Sequence, residues 1–160
     1  MEKTQILGAL DRAIEAESTA KTFYADAADR TDDAGGARMF RELAEFEAHH
    51  ERQLRQLKAS LESSGAWTSY PAREFSKVPT AEGTARKGAG DHADALEALR
   101  LAVAAEEKAI AEYEALAKAA PDETGRQMFL RLSEEEAMHR RLLDDQYYNL
   151  LNRGVWVWGD

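Results

Sequence analysis

An all-α fold, a four-helix bundle of two antiparallel hairpins joined by a long crossover, follows from three features of this sequence. Its 160 residues are 44% hydrophobic and rich in strong helix formers, with few β-branched runs of the kind that favour strands. Several long stretches place apolar residues at alternating spacings of three and four, which marks one buried face of a helix. The chain also repeats itself. Shifted by 89 residues, positions 7–57 align without a gap on 96–146, and 20 of those 51 pairs are identical.

The elements follow in order from this pattern and its punctuation. The first helix is predicted over 4–30 and stops at Thr31-Asp32-Asp33, where Asp33 can cap the second, 34–63. Ser64-Gly65 breaks the second helix. The third starts near Asp91, another candidate cap, and ends before Pro121; Asp122 caps the fourth, which runs to about 152 with Gly154 placed to end it. Short loops within each pair make antiparallel hairpins. Between the pairs, residues 64–90 hold Pro71, Pro79 and four glycines and form the crossover, with Trp67, Tyr70 and Phe75 expected to pin it to the bundle. Residues 1–152 therefore read as one domain and 153–160 as an aromatic tail.

Composition narrows the partners. With 30 acidic residues against 21 basic, the formal charge of −9 argues against nucleic acid. The absence of cysteine excludes disulfides, thiolate metal sites and a thiol nucleophile. No apolar stretch reaches 18 residues, so no membrane-spanning helix is expected, and the first residues lack the apolar core of a secretory signal; a cytoplasmic protein is the expectation.

The core stripes carry charge. In the second helix Phe40, Leu43, Glu47, His50, Leu54, Leu57 and Leu61 form one seam with a glutamate and a histidine in its middle. Phe129, Leu132, Glu136, His139 and Leu143 repeat it in the fourth. The first helix places Glu17 between Ala13 and Ala20, and the third places Glu106 between Ala102 and Ala109. Burying an unpaired carboxylate costs several kcal/mol, and four together repel further unless something positive joins them. No lysine or arginine stands at that level on these stripes. Two divalent cations supply +4 against four glutamates, and the two imidazoles add neutral ligands. The predicted metal ligands are thus Glu17, Glu47, His50, Glu106, Glu136 and His139. Carboxylates with imidazole suit iron, or manganese, better than zinc or copper.

The repeat register decides between neighbours. Glu45 with His49, and Glu135 with His139, are alternative pairs at i, i+4, yet only Glu47/His50 and Glu136/His139 are mutual images. His49 reads as a flanking residue, Glu15, Glu107 and Glu112 as solvated, and His92 as an exposed residue near a helix start. Tyr24 and Tyr113 lie seven residues beyond Glu17 and Glu106 on the same stripes. They are either core aromatics or donors to metal-bound carboxylates that orient the ligands and relay a proton or electron.

The segments Glu17 to Tyr24, Glu47-Ala-His-His50, Glu106 to Tyr113 and Glu136-Ala-Met-His139 resemble the ferritin-like superfamily, most closely the rubrerythrins. The resemblance covers roughly residues 5–150. It implies two irons held by the six ligands, with Glu47 and Glu136 as bridges, and reduction of hydrogen peroxide (or oxygen) as the reaction. Many rubrerythrins end in a cysteine-ligated rubredoxin module; this chain has no cysteine, so an external electron-donor protein is expected. Where rubrerythrins carry a further glutamate, three residues after the third-helix ligand, this chain has Ala109, whose repeat mate is Ala20. That predicts a near-symmetric, six-ligand centre with space for a small ligand beside the alanines. The rival functions are iron oxidation for storage, and a metal-stabilised structural or sensor bundle without turnover. A homodimer is expected, because Val155, Trp156, Val157 and Trp158 lack an evident place inside one bundle and should pack on its end or on a second subunit. The alternative for this tail is a docking peptide for an enclosing shell.

Overall fold

The computed structural model describes residues 2–74, 85–87 and 92–157, without the side chains of 85–87. Four helices dominate: α1 (Lys3–Arg30), α2 (Ala34–Ser63), α3 (Ala93–Ala119) and α4 (Glu123–Arg153). At ~1.5 Å per residue each is roughly 40 to 45 Å long. The punctuation works as its chemistry requires. Asp33 accepts a hydrogen bond from the Gly36 amide, and Asp122 accepts from Thr124 and Gly125, each satisfying amides that a helix start leaves without partners. Gly154 closes α4 at φ +65°, a left-handed conformation that costs glycine nothing. The predicted cap Asp91 and the predicted anchor Phe75 lie outside the described residues. His92 stands half-buried at the N-cap of α3 and makes no side-chain cap bond.

α1 packs closely on α2, and α3 on α4, which makes the two hairpins. Two apolar clusters fill the bundle. One gathers Tyr24, Phe40, Leu43, Leu99, Leu143 and Trp156; the other gathers Leu10, Leu54, Leu57, Tyr113, Phe129 and Leu132. Between them, the same seams bring their charged residues to one level.

Beyond the helices, a two-stranded sheet departs from the all-helical expectation. β1 (Ala85–Lys87), from the crossover, pairs antiparallel with β2 (Val155–Val157) of the tail, Arg86 opposite Trp156. The valines and tryptophan of the tail suit an extended strand. Trp156 and Val157 are buried, and the Gln146 side chain clamps the tail by accepting from the Val157 amide and donating to its carbonyl. Burying a large apolar side chain is worth about 1.5–3 kcal/mol, enough to hold a short strand. The tail thus finds its place on its own bundle, which removes Trp156 and Val157 as the reason for a dimer; Trp158 lies outside the described residues.

The repeated glycines Gly36 and Gly125 have a shared use. Trp156, after α4, lies against Gly36 at the start of α2, and Trp67, after α2, lies against Gly125 at the start of α4. A Cβ on Gly36 would stand 3.0 Å from the Trp156 ring, and one on Gly125 would meet the Trp67 ring still closer. Each end of the bundle is therefore closed by a tryptophan seated on a glycine. Trp67 also packs edge-on to Phe129, and His49 donates to the Pro71 carbonyl at 2.7 Å, so the crossover is pinned as Trp67 and Tyr70 suggested.

Candidate metal centre

All six predicted ligands meet in the middle of the bundle, and none is more than 3% exposed. They form two overlapping groups, Glu17/Glu47/His50/Glu136 and Glu47/Glu106/Glu136/His139, in each of which one ligand atom per residue lies within 4.8 Å of the others. Glu47 and Glu136 belong to both groups, the position a bridge requires. The histidines turn the same ring nitrogen inward. His50 Nδ1 is 3.4 Å from Glu17 and 3.3 Å from Glu136, and His139 Nδ1 is 3.0 Å from Glu47 and 3.3 Å from Glu136. Their rings are nearly parallel, with centroids 6.0 Å apart.

Electrostatics shows the strain of this assembly. Burial, then the neighbouring Glu136 and Glu17 carboxylates, raise Glu47 well above the ordinary carboxylate range. Burial and Glu136 push Glu106 up to about 8. Burial alone would lower His50 and His139, but the carboxylates around them raise both. Glu136 goes the other way: burial would raise it, yet the two imidazoles hold it far below the usual value. Carboxylates packed this closely favour added positive charge, as protons or as cations.

The donor set fits a pair of cations. Glu17 Oε2, Glu47 Oε2 and Glu106 Oε2 are buried without a hydrogen-bond partner among the described residues, while Glu47 Oε1 and Glu136 Oε1 face only the imidazoles of the cluster, at 3.0 and 3.3 Å. An orphaned buried acceptor ordinarily costs about 1–3 kcal/mol, more when charged, so several at one point call for a ligand.

The tyrosines reach across the molecule. Tyr24 donates to Glu106 at 2.6 Å, and Tyr113 donates to Glu17 at 2.5 Å, each bond linking one hairpin to the other. Burial and the adjacent carboxylates raise both phenols well above their ordinary value, so they stay protonated donors. They are core aromatics as well, one in each apolar cluster, so each fills the core and donates to a candidate ligand at the same time.

Glu135 is a site residue that the sequence reading missed. It is fully buried, and its Oε1 accepts from His50 Nε2 at 2.9 Å and from Tyr70 at 2.7 Å, while Oε2 accepts from Arg131 Nε at 3.1 Å. It faces His50 on the other hairpin, not His139 on its own helix. One signal in the sequence marked it: its repeat mate is Phe46, so it occupies a core position. Glu15, Glu107 and Glu112 are exposed as expected.

One side of the centre opens outward. A cleft of about 910 Å³ between α1 and α3 is lined by Ala13, Ala16, Ala20 and their repeat mates Ala102, Ala105, Ala109, and it reaches Glu17, Glu106 and both tyrosines. The space expected beside Ala20 and Ala109 is present.

Fold and site together define a ferritin-like four-helix bundle with a buried carboxylate and histidine cluster. The rubrerythrin family model matches residues 8–89 and 97–152, and the chain belongs to that family. It is similar to the solved structure of a hypothetical protein from Pyrococcus furiosus, with 27% identity over 92% of this chain and 90% of the other, at a TM-score of 0.72. No curated protein matches it. Among the described residues, no helix is long and apolar enough to cross a membrane.

Proposed function

We propose that this protein is a di-iron oxidoreductase of rubrerythrin type that reduces hydrogen peroxide, or oxygen, with electrons from an external donor. The observation that carries the reading is the cluster of orphaned buried oxygens shared between two four-residue groups at the end of an open cleft. Iron, when bound, supplies the electrons that cleave an O–O bond. Glu17, Glu47 and His50 would hold one ion with Glu136, and Glu106 and His139 the other with Glu47 and Glu136. Four carboxylates offset the charge of two divalent ions without a lysine or arginine. Tyr24 and Tyr113 act as positioning residues: by donating to Glu106 and Glu17 they set which oxygen of each faces the centre. Both residues border the cleft, where their hydroxyls stay protonated and hold the two carboxylates in place. Small side chains at Ala20 and Ala109 leave a small oxidant room beside the glutamates.

Anaerobic loading with iron(II), followed by stopped-flow mixing with peroxide or with oxygen, tests the reading. Faster oxidation by peroxide, two electrons per peroxide and re-reduction by an added donor are expected. Turnover of excess iron(II) with retention of iron(III) in a large particle would replace the reading with iron storage. Failure of the bound iron to cycle would leave a structural or sensor role. A cytoplasmic homodimer is the proposed state, with exposed Leu101, Tyr148 and Leu151 as its candidate contacts in place of the tail. Light scattering reads the assembly.

A further inference from the structure

The six ligands are arranged with near twofold symmetry, but what stands behind the histidines is not symmetric. His50 directs Nδ1 to the centre and Nε2 outward to Glu135, a carboxylate with no exposure. Glu135 is held in turn by three donors from three places: His50 on α2, Arg131 one turn earlier on α4, and Tyr70 from the crossover. The repeat mate of Glu135 is Phe46, which packs edge-on against His139 with centroids 4.6 Å apart. A phenyl ring offers no anionic acceptor. The crossover marks the same division, since Tyr70 bonds Glu135 while the Arg73 guanidinium lies 5.2 Å over the Phe46 ring.

We infer that Glu135 is a positioning residue that makes the two metal positions unequal, the Glu17/Glu47/His50/Glu136 position binding its ion first and more tightly. The inference rests on the metal reading proposed above. A carboxylate that accepts from the outer nitrogen of a ligating histidine settles which nitrogen carries the proton, holds the ring in place and makes the inner nitrogen a stronger donor. With Nε2 committed to Glu135, the Nδ1 lone pair of His50 is directed at Glu17 and Glu136, where an ion would sit. Tyr70 and Arg131 keep the carboxylate from swinging toward solvent. Loss of such an outer partner typically weakens metal affinity about 10–100-fold. The expected order of filling is thus set outside the six ligands.

The test is anaerobic titration of the 160-residue protein with cobalt(II) or iron(II), followed by calorimetry and absorbance, with anomalous diffraction at one equivalent of metal. The expected result is two steps at least about tenfold apart, with the single ion beside His50. In Glu135→Gln the first step should weaken about 10–100-fold while the second moves little, and Tyr70→Phe should give a smaller change in the same direction. Thermal melts of the metal-free variants check folding. If Glu135→Gln is unfolded, Tyr70→Phe carries the same comparison, and an unchanged first step in it overturns the inference. Equal occupancy of both positions at one equivalent, or equal weakening of both steps, overturns this inference alone. No bound ion at all overturns the metal reading as well.

Discussion

In the first hairpin His50 turns its outer nitrogen to a buried carboxylate on α4, whereas the equivalent place beside His139 is taken by the Phe46 ring. Much else in the two hairpins is the same: a glutamate between alanines on the outer helix, Glu-x-x-His on the inner one, and a tyrosine seven residues on that bonds the other hairpin's glutamate. What the duplication kept is what every bundle half needs to build the centre. What diverged lies one layer out, in the residues that stand behind the two histidines. Symmetry in the ligands therefore does not entail symmetry in the chemistry.

Removing the shared carboxylates should do the most damage. Glu47 and Glu136 serve both groups, so Glu47→Ala or Glu136→Ala should reduce bound iron from two to one or none per chain, as elemental analysis would show. Glu17→Ala or Glu106→Ala touches one group each and should leave one ion. Equal losses in all four variants would break the division into two overlapping positions.

Next in size is the effect of metal on stability, and its sign depends on pH. Glu47, Glu106, His50 and His139 have raised folded-state values, so their contribution to the metal-free bundle is full below their unfolded values and is lost as pH rises through the folded ones, about 8 for Glu106. Glu136, held low, contributes above about 4 and loses that only at strongly acid pH. The metal-free protein should then melt lower at pH 8.5 than at pH 6. Bound metal adds about 2.7 kcal/mol per ion at a hundredfold excess over Kd, and its ligands must be deprotonated, so the gap between loaded and bare melts should widen with pH. A constant gap from pH 5 to 8.5 would count against metal replacing protons in the cluster.

The cross-hairpin tyrosines should behave as a matched pair. Tyr24→Phe and Tyr113→Phe each remove a buried donor to a carboxylate, at a cost of about 1.5–3 kcal/mol in chemical denaturation. Closely similar losses sharpen the view that the duplication is preserved at this layer; a twofold disparity would extend the asymmetry inward.

The smallest contrast is at the tryptophan seats. Gly125→Ala places a methyl group into the Trp67 ring, and overpacking of about 1–3 kcal/mol should outweigh the roughly 1 kcal/mol that alanine gains over glycine in a helix. Gly36→Ala, with 3.0 Å to Trp156, should come out close to neutral. Equal melting temperatures for the two variants would show that both seats yield alike.

Most of the helices and all six candidate ligands were legible because helical periodicity is local. A seam such as Phe40, Leu43, Glu47, His50 and Leu54 lies on one face wherever the helix goes, since 3.6 residues per turn place i, i+3, i+4 and i+7 together. The repeat then supplied the register, separating Glu136 from Glu135 and Glu106 from Glu107. Helix ends were legible for the same reason, as with Asp33, Asp122 and Gly154, whose chemistry acts within four residues. The pairing of the tail with the crossover was not, because antiparallel partners 68 to 72 residues apart, Ala85 opposite Val157 at one end and Lys87 opposite Val155 at the other, carry no local mark of each other.

By itself the sequence determined that four amphipathic helices would bury a layer of four glutamates and two histidines, because side-chain direction along a helix is a property of the backbone. Which atoms meet across that layer depended on the separation and rotation of whole helices. Tyr24 bonding Glu106, and Glu135 bonding His50, join residues 82 and 85 positions apart on different hairpins. The cleft likewise depends on two elements at once, since it exists where α1 and α3 face each other with alanines whose small side chains leave the space between the helices unfilled. These are distances between elements, and no spacing within one element encodes them; the tertiary packing decided them, through the volumes of the side chains that keep the hairpins apart.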